Sequence, residues 1–413
     1  MNRSELLDLL YADLSNTMGC TDVGAIGFAA AKAASLLQGK LVSAELELSD
    51  LLYKNALRVG IPGTHAAGVE KAILLGYLLK NPERQLAVFE AAGESELDAL
   101  AQLEQSVPIT ISHIDSPDPL HINLSLASES SRVRVLLSHE YDHIHEVEVD
   151  GRLIVSGESA AQLPGESADR RLDTCIDELY QFITNEDEAL DALLDMAEIN
   201  FRTAQLGLGE GIDIRPDTLA DLEQAGSLVR QHILSGSGLR MAGAAVPVTG
   251  VAGSGNLGMT TLSAVLVMAK LYAVDDTTTR RALALAVLVS TYIKRKMTLL
   301  TTICGSSLAG GAAVSAAAVF LRGGDLEQLK NAINMLLAIN AGTLCDGAKQ
   351  SCAFKVGFSA ENGVIAAKMA LDGERLEGEN GLNKPDVEQS IQNIADINNL
   401  ALESASQKIL KII

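Results

Sequence analysis

Tryptophan is absent from the chain, and seven Phe with seven Tyr make aromatics only 3% of 413 residues. The apolar mass is therefore Ala, Leu, Val and Ile, with 35 Gly, a composition suited to closely packed helices with small residues at the contacts. Positive charge is also scarce: 32 Lys and Arg stand against 53 Asp and Glu, for a net charge of −21. Such a surface repels phosphate backbones and anionic lipid, so nucleic acid and membrane are not expected partners, and a cytoplasmic protein is expected. The five cysteines are an odd number, and none is followed by another after a two-residue gap. That spacing leaves no zinc ribbon, ferredoxin run or disulfide framework, and it fits a reducing compartment. The N-terminal residues read as an amphipathic helix start without the apolar core of a secretion signal. Internal repeats and low-complexity tracts are missing too.

Long charged stretches are missing from two places. Met241–Ala269 and Thr298–Leu321 carry no charge, and both exceed the length that flags a membrane span. Gly, Ser, Thr and Asn interrupt them, and Pro247 stands in the first. Buried helices with irregular starts are the expectation, with a transporter built on broken helices as the competitor.

The pattern along the chain predicts an α+β protein with a mainly helical catalytic core and an inserted α/β domain. Helices are expected over residues 2–14, Cys20–Leu37 and His65–Leu79, a strand over Leu41–Leu48, and a tight turn at Gly60–Thr64. Between Arg84 and Ser156 the period changes. Ile109–His113, His121–Leu126, Arg132–Ser138, His143–Val149 and Arg152–Val155 read as strands, and Glu94–Gln105 as one helix. From Asp173 onward the pattern is helical, broken only by Gly-rich turns. Residues 1–81 and 173–413 are thus expected to form the helical core. Residues 84–156 form the inserted domain, and 157–172 a polar linker.

Three cysteines lie in uncharged, Gly-rich settings: Cys20 after Gly19, Cys304 before Gly305, and Cys345 before Asp346-Gly347. Spacing alone reads them as small buried hydrophobes. A fold that gathers them would offer three thiolates to one metal centre and leave one iron of a cubic cluster open to substrate. Cys20 and Cys304 both fall at helix starts, where backbone N–H groups are expected to lower a thiol pKa. Cys175 lies in an acidic helix and is not expected to ligate. Cys352 is expected near the site without being a ligand.

Val251–Gly258 opens a helix with three glycines, a turn able to point N–H groups at a substrate carboxylate or simply to cap the helix. No βαβ unit surrounds it, so dinucleotide binding is excluded. Ile61–His65 has the same two readings. Lys294 and Lys349 stand near uncharged sequence, where desolvation would lower a lysine pKa and make a base; the alternative is an exposed helix lysine. His139, His143 and His145, with Glu140 and Asp142, form the densest histidine group. The alternation with Val147 and Val149 marks a strand face better than a zinc site.

Together, Gly19-Cys20-Thr21, Lys54-Asn55, Val59–Thr64, Gly253-Ser254-Gly255-Asn256, Tyr292-Ile293-Lys294, Cys304-Gly305 and Cys345–Lys349 through Ser351-Cys352 resemble the L-cysteine desulfidase family, related to the iron–sulfur L-serine dehydratase α chain. In order and spacing the resemblance spans nearly the whole chain. It implies a 4Fe–4S cluster held by Cys20, Cys304 and Cys345. It also implies α,β-elimination from a β-substituted L-amino acid without pyridoxal phosphate, giving a 2-oxo acid and ammonia. Lys294, Lys349 and His65 are the candidate bases. Thr64, Ser254, Gly255, Asn256 and Asn55 are the candidate substrate contacts. Asp22-Val23 stands where the family has Glu-Pro, Leu257 where it has Gln, Thr298-Leu299 in place of a Gly-Arg pair, and His65 in place of a small residue. These departures touch the substrate side and keep the cysteines. A catalytically silent binding paralogue is the other reading of the same fold; a homo-oligomer is compatible with the sequence, which does not give the oligomeric state.

Overall fold

The computed structural model describes all residues except 13, 65, 157–171, 186–187, 210–213, 218–219 and 299. The expected linker lies almost entirely outside the described residues, as do His65 and Leu299.

The chain opens with α1 (Arg3–Ala12) and a short strand β1 (Leu14–Met18). Then come α2 (Thr21–Leu36), β2 (Ser43–Ser49), α3 (Asp50–Ala56), α4 (Val69–Leu79) and α5 (Glu94–Ser106). Five strands follow: β3 (Ile109–Ile114), β4 (His121–Ala127), β5 (Arg132–Ser138), β6 (Ile144–Val149) and β7 (Arg152–Ser156). They join β2 in one six-stranded sheet of order β3-β2-β4-β5-β6-β7, in which β2 and β3 are parallel and the other pairs antiparallel. Alternation explains the central strands: Ile122, Leu124 and Leu126 of β4 and Val133, Val135 and Leu137 of β5 are fully buried on one face.

The sheet corrects the expected boundary at residue 81. β2 lies between β3 and β4, so its segment cannot belong to a separate helical body. Ala44, Leu46 and Leu48 of β2 share one hydrophobic core with Val23, Ile26 and Ala30 of α2 and with Ile73 and Leu74 of α4. The helices after Cys20 cover the sheet because α2 is apolar almost all round.

The second core is helical. It joins α1 to α6 (Ile176–Asn185), α7 (Ala192–Leu208), α8 (Leu222–Met241), α9 (Gly255–Leu271), α10 (Asp276–Lys296), α11 (Gly305–Leu321), α12 (Leu326–Asn340), α13 (Ser351–Leu371) and α14 (Val387–Asp396), with α15 (Glu403–Leu410) last. The small-residue composition is used at the contacts. A Cβ on Gly363 of α13 would stand 2.5 Å from the carbonyl oxygen of Gly311 in α11, so the two backbones touch. No helix among the described residues is long and apolar enough to cross a membrane, and α9 and α11 are the buried helices of the uncharged stretches.

One strand breaks the expected all-helical second half. β8 (Pro247–Val251) pairs antiparallel with β1, Leu14 opposite Val251 and Met18 opposite Pro247. This ribbon carries the chain from the helical core to Cys20, at the start of the sheet-bearing unit. The helix expected from residue 2 to 14 ends at Ala12 for the same reason, and the helix expected from His65 starts at Val69.

Candidate functional site

Three helix N-termini meet where the two cores join. Cys20 is the N-cap of α2, Ser254 of α9 and Cys304 of α11. A helix start concentrates unpaired N–H groups and the positive end of the dipole, so the meeting point favours negative charge. A cavity of about 120 Å³ lies there. Cys20, Cys304, Cys345 and Cys352 all line it, with Asp22, Asn55, Tyr141, Arg240, Asn256 and Lys294.

Backbone pairing sets the cysteines. Ile303 and Leu344 form an isolated antiparallel bridge. The N–H of Cys304 donates to the Thr343 carbonyl at 2.7 Å, and that of Cys345 to the Thr302 carbonyl at 2.7 Å. Cys352 is the second residue of α13; its thiol donates to the Gly347 carbonyl at 3.2 Å and accepts from the Lys349 N–H at 3.4 Å. The Cys20 thiol donates to Asp22 Oδ2 at 3.0 Å, and Cys345 Sγ lies 3.9 Å from Asn55 Oδ1. Cys175 does not line the cavity.

The expected lowering of the thiol pKa at helix starts is overturned. Burial pushes the Cys20 thiol well up, and the adjoining Asp22 adds to the shift. Burial, with Cys345 and Cys352 nearby, pushes Cys304 up to about 12. A helix terminus contributes about 0.3–1 kcal/mol, less than the cost of desolvating a thiolate. Burial likewise favours the protonated form of Asp22, against hydrogen bonds from Cys20, Tyr141 and Asn55. Tyr141 Oη donates to Asp22 Oδ1 at 3.0 Å, and burial raises its pKa as well.

The candidate bases separate. Lys294 lies in the last turn of α10 and donates to the Thr298 carbonyl at 3.0 Å. Burial lowers its pKa to about 8, opposed by Cys345, Cys304 and Asp22. A Cβ on Gly305 would sit 3.0–3.1 Å from Lys294 Cδ, Cε and Nζ, so this glycine makes room for the lysine at the start of α11. Lys349 does not line the cavity, and its ammonium donates to the Asp346 carbonyl. His65 lies outside the described residues.

Among the candidate substrate contacts, Ser254, Gly255, Asn256 and Asn55 line the cavity, whereas Thr64 does not. The Thr64 hydroxyl closes its own turn, donating to the Ile61 carbonyl at 2.9 Å and accepting from Ala66 N–H at 3.0 Å. Ser254 Oγ accepts from Leu257 N–H at 3.2 Å and pairs with Ser306 Oγ at 2.9 Å. The Asn256 amide is committed: its Oδ1 accepts from Arg240 Nη1. The histidines of the β5–β6 turn belong to no metal-binding group among the described residues; His139 faces Asp118 at 3.6 Å.

Sequence reasoning missed Arg240 and Tyr141 as site residues. Arg240 is 1% exposed; Lys54, also 1% exposed, donates to the Thr301 carbonyl at 3.3 Å. Lys54 stood in a quoted motif but does not line the cavity. Arg240 and Tyr141 reach the cavity through long-range packing that has no local signal.

Cys20, Cys304 and Cys345 line one cavity with Cys352 beside them, and cysteine sulfur is in kind the donor that holds an iron–sulfur cluster. The Cys20 and Cys352 thiols donate to protein acceptors, and no group of three or more His, Cys, Asp or Glu among the described residues is close enough to hold a single metal ion.

The chain is 29% identical to a UPF0597 protein of Methanocella arvoryzae over 422 aligned residues, covering 100% of this chain and 99% of that one. It is 30% identical to a UPF0597 protein of Fervidobacterium nodosum over 393, covering 95% and 92%. With a UPF0597 protein of Clostridium perfringens it shares 29% over 419, covering 99% and 98%. Residues 84–411 match the family model described as serine dehydratase alpha chain. This chain belongs to the serine dehydratase alpha-chain family.

Proposed function

We propose that the protein is an iron–sulfur lyase that eliminates the β substituent of a small L-amino acid without pyridoxal phosphate, of the cysteine desulfidase or serine dehydratase type. One observation carries the reading: four cysteines, a buried lysine and a buried arginine border a single small cavity at three helix starts. A 4Fe–4S cluster held by Cys20, Cys304 and Cys345 would supply a Lewis acid for the substrate's carboxylate and leaving group. Lys294 removes the Cα proton, because burial has already brought its pKa to about 8. The N–H groups at the starts of α9 and α11 favour the anionic end of the substrate. Tyr141 and Asn55 orient Asp22 at the cavity wall. Loss of the proton and the leaving group gives an enamine, which hydrolyses to a 2-oxo acid and ammonia. The five free cysteines suit a reducing cytoplasm.

The test is anaerobic reconstitution with iron and sulfide, followed by assay of L-cysteine, L-serine and close relatives for 2-oxo acid and ammonia. Replacing Cys20, Cys304 or Cys345 by Ser should abolish both iron binding and turnover, whereas Cys175→Ser and Cys352→Ser retain iron. Equal iron in all five variants would refute the ligand assignment. Fully loaded protein that is inert toward every amino acid tried would leave a binding protein with the same fold.

A further inference from the structure

Arg240 is the least explained charge in the molecule. It sits in the last turn of α8, 1% exposed, and lines the cavity. Its guanidinium has two protein acceptors, Asn256 Oδ1 and the Gly19 carbonyl, and both are neutral. Nε is buried and has no partner. Among the described residues no carboxylate pairs with it. A buried cation left without a counter-ion is costly, so proteins pair such charges or use them on a ligand.

The surroundings are built for this charge. A Cβ on Gly255 would overlap the guanidinium, so the first residue of α9 is a glycine to let Arg240 lie against the helix start. The positive end of α9 then adds to the field of the arginine. Asn256 accepts from Nη1 and the Gly19 carbonyl from Nη2, which leaves Nε–H without a partner. A guanidinium edge made of Nε–H and an Nη–H matches the two oxygens of a carboxylate. The cavity volume of about 120 Å³ restricts that carboxylate to a small molecule.

We propose that Arg240 is the anchor for the substrate's α-carboxylate, and that Asn256 positions Arg240 and does not itself hold the substrate. The proposal rests on the elimination reading for the identity of the ligand. L-Alanine has the α-carboxylate and amine but no β leaving group, so its binding is read without turnover. L-Alaninol is the same molecule with the carboxylate reduced to an alcohol.

Calorimetry on the full-length, anaerobically reconstituted protein should show L-alanine bound more tightly than L-alaninol. In Arg240→Gln the affinity for L-alanine should fall on the order of 10- to 100-fold, with L-alaninol binding unchanged. Arg240→Lys, which keeps the charge and loses the fork, should fall between. Three results overturn the proposal: equal affinity for the two ligands in the wild type, an Arg240→Gln loss shared equally by both, or loss of iron in the variant with carboxylate affinity intact. Should Arg240→Gln not fold by circular dichroism, the wild-type ratio and Arg240→Lys decide by the same criteria. Arg240-dependent binding of L-alanine in protein that eliminates nothing would keep this proposal and defeat the lyase. Turnover with an unchanged KM in Arg240→Gln would defeat this proposal alone.

Discussion

Burial acts on Lys294 and Arg240 in the same direction with different results. Arg240 is lowered to about 10 and keeps its charge at neutral pH. Lys294 is lowered to about 8, so it titrates within the working range of an enzyme. The sign follows from the role. A base must be unprotonated, and Lys294 is mostly protonated at pH 7, half so near pH 8, and neutral above. The turnover number of the reconstituted enzyme should therefore rise up to tenfold per pH unit below about 8 and level off above it. Lys294→Gln should lose about 10²- to 10⁴-fold and show no such rise. A profile for the variant that keeps the wild-type inflection would assign the titration to another group. Lys294 was legible in the sequence because it adjoins long uncharged stretches, where a lysine has few alternatives to burial. Arg240 was not, since a single arginine near a helix end most often reaches solvent. Its burial depends on a glycine fifteen residues later and on the carbonyl of Gly19 across the molecule.

At the scale of elements, close helix contacts position the three helix starts. The contact of α11 with α13 is one example, and Gly363→Ala tests it. The added methyl meets the Gly311 carbonyl oxygen at 2.5 Å, a backbone atom that cannot swing aside, so the helices must separate. The expected destabilisation is about 1–3 kcal/mol in denaturant unfolding. Gly373→Ala is a poor control because of its positive φ, whereas Gly238→Ala in α8 has open space at the Cβ and should be near neutral. Equal stability of the two variants would mean that the helices are not in backbone contact. The strands of the sheet were legible from period-two alternation, since each buries one face. β8 was hidden because Pro247-Val248-Thr249-Gly250-Val251 is short and its partner β1 lies in the first twenty residues. Pairing at that distance leaves no local pattern to read.

At the scale of the molecule, the site belongs to neither core alone. Cys20, Asn55 and Tyr141 come from the sheet-bearing unit, and Cys304, Cys345, Arg240 and Lys294 from the helical one. The α+β class and the convergence of the cysteines on one place were readable from composition and motifs. The division at residue 81 was not, because apolar Ala-rich helices look alike whether they cover a sheet or other helices. A cluster tied to both units binds only the assembled form, so it should stabilise that form by mass action. Stripping iron with a chelator should lower Tm on the order of 5–10 °C. An unchanged Tm would mean that the metal, where it binds, is held by one unit only.

The β1–β8 ribbon gives this arrangement a timetable. The strand β8, which fixes the approach to Cys20, is made more than two hundred residues after it, and Cys345 later still. At roughly 5–20 residues per second, the thiol waits tens of seconds for its neighbours. During that wait the cavity that both cysteines line does not exist. Any group shared by Cys20 and Cys345 can therefore be bound only after both have been synthesised and folded, and the Cys20 thiol stays unburied until the fold that hides it is complete.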